Sequence, residues 1–390
     1  MTEAYIVSAV RSPGGRRRGR LKDWHPVDLA AAVINHVLAA TGIDPAQVDD
    51  VIMGCVTQIG EQAFNVARQV ILASDLPDSV PGTTVDRQCG SSQQAINFAA
   101  QAVMAGVADI VIAAGVESMT RAPMSSAGIL AEEKGLGTPI SPGILAKREG
   151  FALNQFRGAE MMGQKYGLTR EDTDGLALRS HQNAIAATQA GKFKAEIVPI
   201  EIVTAAGETQ LHEVDEGIRF DATRESIGSV KLLQEGGIIT AASSSQICDG
   251  ASVVLVMSEQ AMKANGLQPI ARIHHMSVLG GDPVIMLEAP IPTTERALKK
   301  AGMKIEDIDL YEVNEAFSTV PLAWLKAVGA DPDKLNVHGG AIALGHPMGA
   351  SGAKLAATLI HALRSNGKRY GLQTMCEGGG LANVTIFEAL

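Results

Sequence analysis

Apolar runs rich in β-forming residues alternate along the chain with stretches whose apolar positions recur at helical spacing. YIVSAV (5–10) precedes a helical pattern over Asp28 to Ala40, and DDVIMGCV (49–56) precedes one over Asn65 to Ala73. A third helix, Ser91 to Gly106, leads into ADIVIAAG (108–115). Strand and helix signals in alternation predict an α/β protein, a sheet covered by helices.

The order then repeats. A helical stretch from Thr293 to Ala301 runs into AGMKIEDIDLYEV, much as Val33 to Ala40 runs into TGIDPAQVDDVIM, and Gly42 and Gly302 occupy matching places 260 positions apart. Stretches of nearly equal length lead onward to Cys89 in one copy and to His346 in the other. Cys89 precedes GSSQQAINFAAQAVMAG and His346 precedes PMGASGAKLAATLIHAL, both Gly/Ser/Ala-rich helix starts, and ADIVIAAG or GLQTMCEG follows. The chain reads as a duplication that sets one reactive residue at equivalent loops of two βαβ-rich halves.

Between the halves the pattern turns irregular, with SMTRAPMSSAG and GLGTPISPG followed by amphipathic stretches over Ala159 to Tyr166 and Asp172 to Ala190. Long irregular segments in a compact protein usually carry function, so residues 119–248 read as a loop domain covering the site. A return strand, ASVVLVMSE, gives the expected division: 1–118 plus 249–268, then 119–248, then 269–390.

Composition narrows the function class. A chain of 390 residues, 46% hydrophobic but only 4% aromatic, buries a large core of small side chains. The formal charge of −9 argues against nucleic acid or an anionic membrane as the main partner. The basic run Arg16-Arg17-Arg18, with Arg11 and Arg20, reads as a solvated loop, with a phosphate contact as the alternative. The start MTEAYIVSAV carries no leader pattern and no stretch has the length of a membrane span. Cys55, Cys89, Cys248 and Cys376 lack CxxC spacing, which is expected of reduced thiols in a cytoplasm.

The chemistry concentrates in four short stretches. Cys89, in TVDRQCGSSQQA, stands where a strand gives way to a helix, where free N–H groups are expected to lower its thiol pKa; the alternative is a buried apolar cysteine. His346, in GGAIALGHPMGASG, sits in a glycine-framed turn able to hold an imidazole against a sulfur, unless it is structural. Cys376, in TMCEGGG, supplies a second thiol for proton transfer, and the Gly378 and Cys89 N–H groups are donors of the kind an oxyanion hole needs. Asn314, in VNEAF, orients a water or a carbonyl oxygen, or else caps a helix. His274-His275 has no partner at metal spacing, so no metal site is expected.

VDRQCGSS, NEAF, GGAIALGHPMGASG and CEGGG, in this order, resemble the thiolase family. The resemblance implies two halves packed as a five-layer αβαβα sandwich under a loop domain. It implies Cys89 as acylated nucleophile, His346 as its activator, Cys376 as acid/base at the substrate α-carbon, and Asn314 holding a water. That water with His346 forms one oxyanion hole; the Cys89 and Gly378 N–H groups form the other. It also implies coenzyme A as co-substrate, with no permanently bound cofactor, contacted by Ser245, Arg219 and Ser226, and a homodimer or homotetramer.

Where acetoacetyl-CoA thiolases carry a His-Met pair, this chain has Asn154-Gln155 in LNQFRG; with Met286 these are the expected acyl-pocket residues. That difference, with SSQICDGAS, points toward actinobacterial thiolases of steroid and other bulky acyl-CoA catabolism. The expected reaction is thiolytic cleavage of a 3-ketoacyl-CoA. The alternatives are a biosynthetic acetoacetyl-CoA thiolase, a decarboxylating ketoacyl synthase, which Cys376 disfavours, and a non-catalytic acyl-CoA carrier.

Overall fold

The computed structural model describes residues 3–147 and 153–390. The main elements of the first half are β1 (Ala4–Arg11), α1 (Pro26–Thr41), β2 (Asp50–Gly54), α2 (Val66–Ala73), β3 (Gly82–Val85), α3 (Ser91–Met104) and β4 (Ile110–Ser118). The next region contributes α4 (Gln155–Tyr166) and α5 (Arg170–Gln189), after which β5 (Cys248–Ser258) pairs with β4 and β1. The second half builds β6 (Ala271–Gly280), α6 (Pro290–Ala301), β7 (Leu310–Val313), α7 (Thr319–Val328), α8 (Met348–Ser365), β8 (Tyr370–Glu377) and β9 (Leu381–Ala389).

The strands lie in the order β7-β8-β9-β6-β1-β5-β4-β2-β3, so each half presents the same sequence of neighbours outward from a shared middle. The seam is slight: β1 and β6 share only the pairs Tyr5–Arg272 and Ile6–Ala271. Identical devices build both halves. α1 and α6 end on Gly42 and Gly302, each at φ 68°, a left-handed cap that glycine adopts without Cβ strain. Asp49 accepts the Asp109 and Ile110 N–H groups at 2.7 and 2.9 Å, and Asp309 accepts those of Arg369 and Tyr370 at 3.0 and 2.9 Å. These bonds fix where β4 and β8 begin.

Three apolar clusters make five layers. Val33, Ile34 and Val70 of α1 and α2 pack on Val51, Met53 and Ile112 of the first half-sheet. Leu298, Val320 and Trp324 of α6 and α7 pack on Val313, Leu372 and Ile386 of the second. Between the half-sheets, Ile96, Val103, Ala353 and Ile360 of α3 and α8 meet strand residues from both, including Val111, Val254, Leu310 and Phe387. Each fully buried side chain of this size stabilises the fold by roughly 1.5–3 kcal/mol relative to exposure. The small-residue composition finds its reason here. A Cβ on Gly352 would lie 2.2 Å from the Gln93 backbone nitrogen, so α3 and α8 cross at backbone contact.

Arg11 is not part of a solvated basic loop. It is wholly buried, donating to Glu196 at 2.7 Å and to both Asp215 oxygens at 2.8 and 2.9 Å. Lys354 of α8 reaches the same Asp215 at 3.3 Å. This paired charge network ties the loop region to the core of both halves. No helix among the described residues is long and apolar enough to cross a membrane.

Candidate active site

Cys89 and His346 each stand two residues before a central helix, α3 and α8. The duplication therefore brings them together where the helix starts meet, and both line one cavity of 460 Å³. Cys89 sits on a strained turn. The preceding Gln88 has φ 48°, a left-handed conformation costly for a residue with a Cβ. Asp86 holds it by accepting the Gln88 N–H at 2.7 Å, while the Ser91 hydroxyl donates to the Gln88 carbonyl at 2.6 Å and accepts the Arg87 N–H at 2.9 Å.

The expected depression of the Cys89 thiol pKa does not hold in the resting site. Burial pushes the thiol well above its ordinary value, and Cys376 and Glu377 add to the shift. The Gly90 and Ser91 N–H groups, which the sequence offered as a stabilising field, are taken by the Arg87 and Gln88 carbonyls at 3.1 and 3.0 Å. Cys89 thus rests as a thiol, a form that attacks only when a base takes its proton.

His346 is the candidate for that base. Burial, with Lys354 adding to it, lowers the imidazole to about 4, so it is neutral near pH 7. Its Nδ1 lies 2.5 Å from Ser351 Oγ, one turn into α8. The Ser351 hydroxyl donates to the Pro347 carbonyl at 2.9 Å, which leaves its oxygen to accept the Nδ1–H and leaves the lone pair on Nε2. Asn314 Nδ2 is 3.5 Å from that Nε2. Ser351 was not singled out from sequence, although it lies within GGAIALGHPMGASG.

Asn314 caps no helix: α7 begins at Thr319, behind Ser318. It extends from β7, its N–H bonded to the Thr374 carbonyl at 3.1 Å, and its side-chain Oδ1 is buried without a partner among the described residues. Cys376, near the end of β8, is buried, and burial pushes its thiol up to about 12. Gly378 follows, close enough to Gln88 that an added Cβ would meet Gln88 Oε1 at 2.8 Å. Neither the Cys89 nor the Gly378 N–H donates to a carbonyl among the described residues.

Ser245 lines the cavity, as do Arg16 and Arg17, so those two members of the basic run face a ligand-sized space. Arg219, Ser226 and His181 line a small adjoining groove that shares Ala241, Ser244 and Gln246 with the cavity. The Ser226 hydroxyl is engaged locally, capping the turn at Thr223. Gln155 is on the cavity wall beside Phe156, Met124, Met119 and Leu233. Asn154 is not; its side chain caps α4 by accepting the Arg157 N–H at 3.0 Å, which is why that helix starts earlier than the apolar pattern from Ala159 implied. Met286, at φ 58°, is buried in the core of the second half and is likewise off the cavity wall.

Comparisons with known proteins identify the family and the fold. Residues 4–260 match the model of the thiolase N-terminal domain and residues 267–389 that of the thiolase C-terminal domain. The chain is similar over its whole length to a steroid 3-ketoacyl-CoA thiolase, FadA6, of Mycobacterium tuberculosis, at 52% identity and 95% coverage of that protein. A 3-ketoacyl-CoA thiolase of Bacillus subtilis is 39% identical, with both chains covered fully. Among solved structures, the acetyl-CoA acetyltransferase of Bacillus anthracis superposes with a TM-score of 0.91 at 38% identity, covering 100% of this chain and 99% of that one. Human mitochondrial 3-ketoacyl-CoA thiolase does so with a TM-score of 0.89 at 36% identity and the same coverage. With both domain models matched end to end and the fold shared throughout, the chain belongs to the thiolase family.

Proposed function

We propose that the protein is a degradative thiolase that cleaves a 3-ketoacyl-CoA bulkier than acetoacetyl-CoA, using CoA as the second substrate. The observation that carries the reading is the shared cavity. Cys89 and His346 face it from equivalent positions of the two halves, with His346 neutral and its Nε2 lone pair met only by a long 3.5 Å contact from Asn314 Nδ2.

The cycle follows from those groups. Cys89 Sγ attacks the 3-keto carbon as its proton passes to His346 Nε2. The C2–C3 bond then breaks, its electron pair moves to C2, and Cys376 Sγ–H protonates that carbon to release acetyl-CoA or another short acyl-CoA. Acyl-Cys89, imidazolium and the Cys376 thiolate remain. Incoming CoA gives its thiol proton to Cys376, attacks the thioester, and expels Cys89, which recovers its proton from His346. The Cys89 and Gly378 N–H groups serve the tetrahedral oxyanion, and His346 with a water held by Asn314 serves the thioester oxygen. Catalysis runs on these side chains without a resident cofactor.

Ser245, Arg219 and Ser226 are the proposed CoA contacts, with Arg17 at the cavity mouth as a further cation for the nucleotide phosphates. Met119, Met124, Gln155, Phe156 and Leu233 form the acyl wall, a surface of adaptable side chains suited to a bulky group. The name of the Mycobacterium tuberculosis relative supports a steroid-type substrate class. Phe64, 86% exposed, and the outermost place of strand β3 in the sheet support a homodimer or homotetramer. A cytoplasmic location completes the reading.

The test is mass spectrometry of the enzyme after mixing with a panel of linear and cyclic 3-ketoacyl-CoAs, alongside steady-state thiolysis. Acylation on Cys89, its loss in Cys89→Ala with CoA binding retained, and higher kcat/KM for bulky substrates are expected. An acylated Cys89→Ala protein defeats the nucleophile assignment, and a preference for acetoacetyl-CoA defeats the substrate class.

A further inference from the structure

The duplication pairs two buried acids whose surroundings differ. Asp49 N–H bonds the Ile110 carbonyl and Asp309 N–H bonds the Tyr370 carbonyl, so β4 and β8 start in register and Glu117 and Glu377 occupy equivalent positions near their ends. Glu117 accepts four hydrogen bonds, from Val56 N, Thr57 N, Gln62 Nε2 and Gly349 N, at 2.9–3.0 Å. It is a structural brace for the start of α8. Glu377 is equally buried, yet neither of its oxygens has a partner within hydrogen-bonding distance among the described residues, the Asn383 N–H lying only near enough to favour the charged form.

Its neighbour deepens the problem. Met375 pairs with Asn383 and Glu377 with Leu381, so Glu377 and Asn383 are diagonal neighbours on one face of the β8–β9 ladder. Both approach Gly90: an added Cβ there would lie 2.0 Å from Glu377 Oε1 and 2.8 Å from Asn383 Nδ2. Asn383 Nδ2 donates to the Gly90 carbonyl at 3.0 Å, and its Oδ1 is left buried without a donor. Glu377 Oε1 therefore abuts the backbone just after the nucleophile, and Glu377 Oε1, Glu377 Oε2 and Asn383 Oδ1 are all buried without a partner. Arg87 Nε on the nucleophile turn is itself a buried donor without a partner, yet it bonds none of the three, whereas one proton on Glu377 gives Asn383 Oδ1 a donor.

We propose that Glu377 is a positioning residue that works as a neutral acid, donating its proton to Asn383 and holding the Cys89–Gly90 peptide in place, and that its ionisation shuts the site down. The proposal rests on the assignment of Cys89 and Cys376 as the reacting thiols. The titratable groups facing Glu377 are Arg87 and Asp86 of the nucleophile turn and the two thiols. Burial outweighs Arg87 and pushes the Glu377 carboxyl up to about 8, below both thiols. Once charged, it opposes formation of a Cys89 or Cys376 thiolate and of an oxyanion at the Cys89 N–H.

The experiment compares wild type with Glu377→Gln, whose amide supplies the same donor without a charge. If only the neutral acid is competent, wild-type kcat/KM for thiolysis falls about tenfold between pH 7 and 9. The Gln variant is expected to hold its own pH 7 value to pH 9. A parallel readout, alkylation of Cys89 by iodoacetamide followed by peptide mass spectrometry, needs no substrate; the variant is expected to react faster than wild type at pH 9. Superimposable alkylation profiles overturn the proposal, as does a folded Gln variant that loses thiolysis at every pH, which would make the carboxylate itself essential. If wild type cleaves no 3-ketoacyl-CoA, the functional reading fails and the alkylation comparison still decides Glu377.

Discussion

The imidazole Nδ1 of His346 lies 2.5 Å from the hydroxyl oxygen of Ser351, whose own proton goes to the Pro347 carbonyl at 2.9 Å. That chain of two hydrogen bonds places the histidine proton on Nδ1 and turns Nε2 toward Asn314 and the cavity, the tautomer a general base requires.

Removing the anchor tests it. Ser351→Ala frees the ring to rotate and to exchange tautomers, and Cys89 acylation is expected to slow by about 10- to 100-fold, taking as the guide the cost of losing a partner that orients a metal-bound histidine. Rapid-quench mass spectrometry of the acyl-enzyme measures this. An unchanged acylation rate would show that the orientation of His346 is set elsewhere.

Cys376→Ser separates the two halves of the cycle. A serine hydroxyl is a far weaker acid than even this raised thiol, so proton delivery to the α-carbon fails while Cys89 and His346 are intact. The variant is expected to accept an acyl group at Cys89 from an acyl-CoA but to lose carbon–carbon cleavage by several orders of magnitude. Wild-type turnover would remove Cys376 from the mechanism.

The neutrality of His346 has a consequence for stability. Its folded pKa of about 4 lies below the ordinary 6.5, so as pH falls the unfolded chain takes up this proton before the folded protein does. Folding then loses stability progressively between those values, by up to about 3 kcal/mol from this group. His346→Asn cannot take the proton and is expected to lose less stability than wild type between pH 7 and 4.5 in urea titrations. Equal losses would assign the acid sensitivity to other groups.

Much of the site was legible because the duplication is written in local signals. Gly42 and Gly302 cap matching helices, and Cys89 and His346 follow at nearly equal distances, so their equivalence needed no coordinates. Ser351 escaped notice because a serine in the first turn of a helix is ordinary by composition, and its partner is known only once the turn at His346 is built. The expected lowering of the Cys89 pKa failed for a related reason. Helix-start N–H groups are a local property, but burial and the nearness of Cys376 and Glu377 come from distant chain segments. Arg11 and Arg17 show the same limit within one basic run: one is locked inside by Asp215 and Glu196, and the other faces the cavity.

By itself, then, the sequence determined the α/β class, the two-fold repeat and the candidate set Cys89, His346, Cys376 and Asn314, because periodicity, caps and glycine-framed motifs act over a few residues. Only the tertiary structure decided which way burial moves the thiols and His346, which histidine nitrogen carries the lone pair, and that Gln155 but neither Asn154 nor Met286 reaches the cavity. Those properties depend on desolvation and on contacts between segments far apart in the chain, which no local pattern encodes.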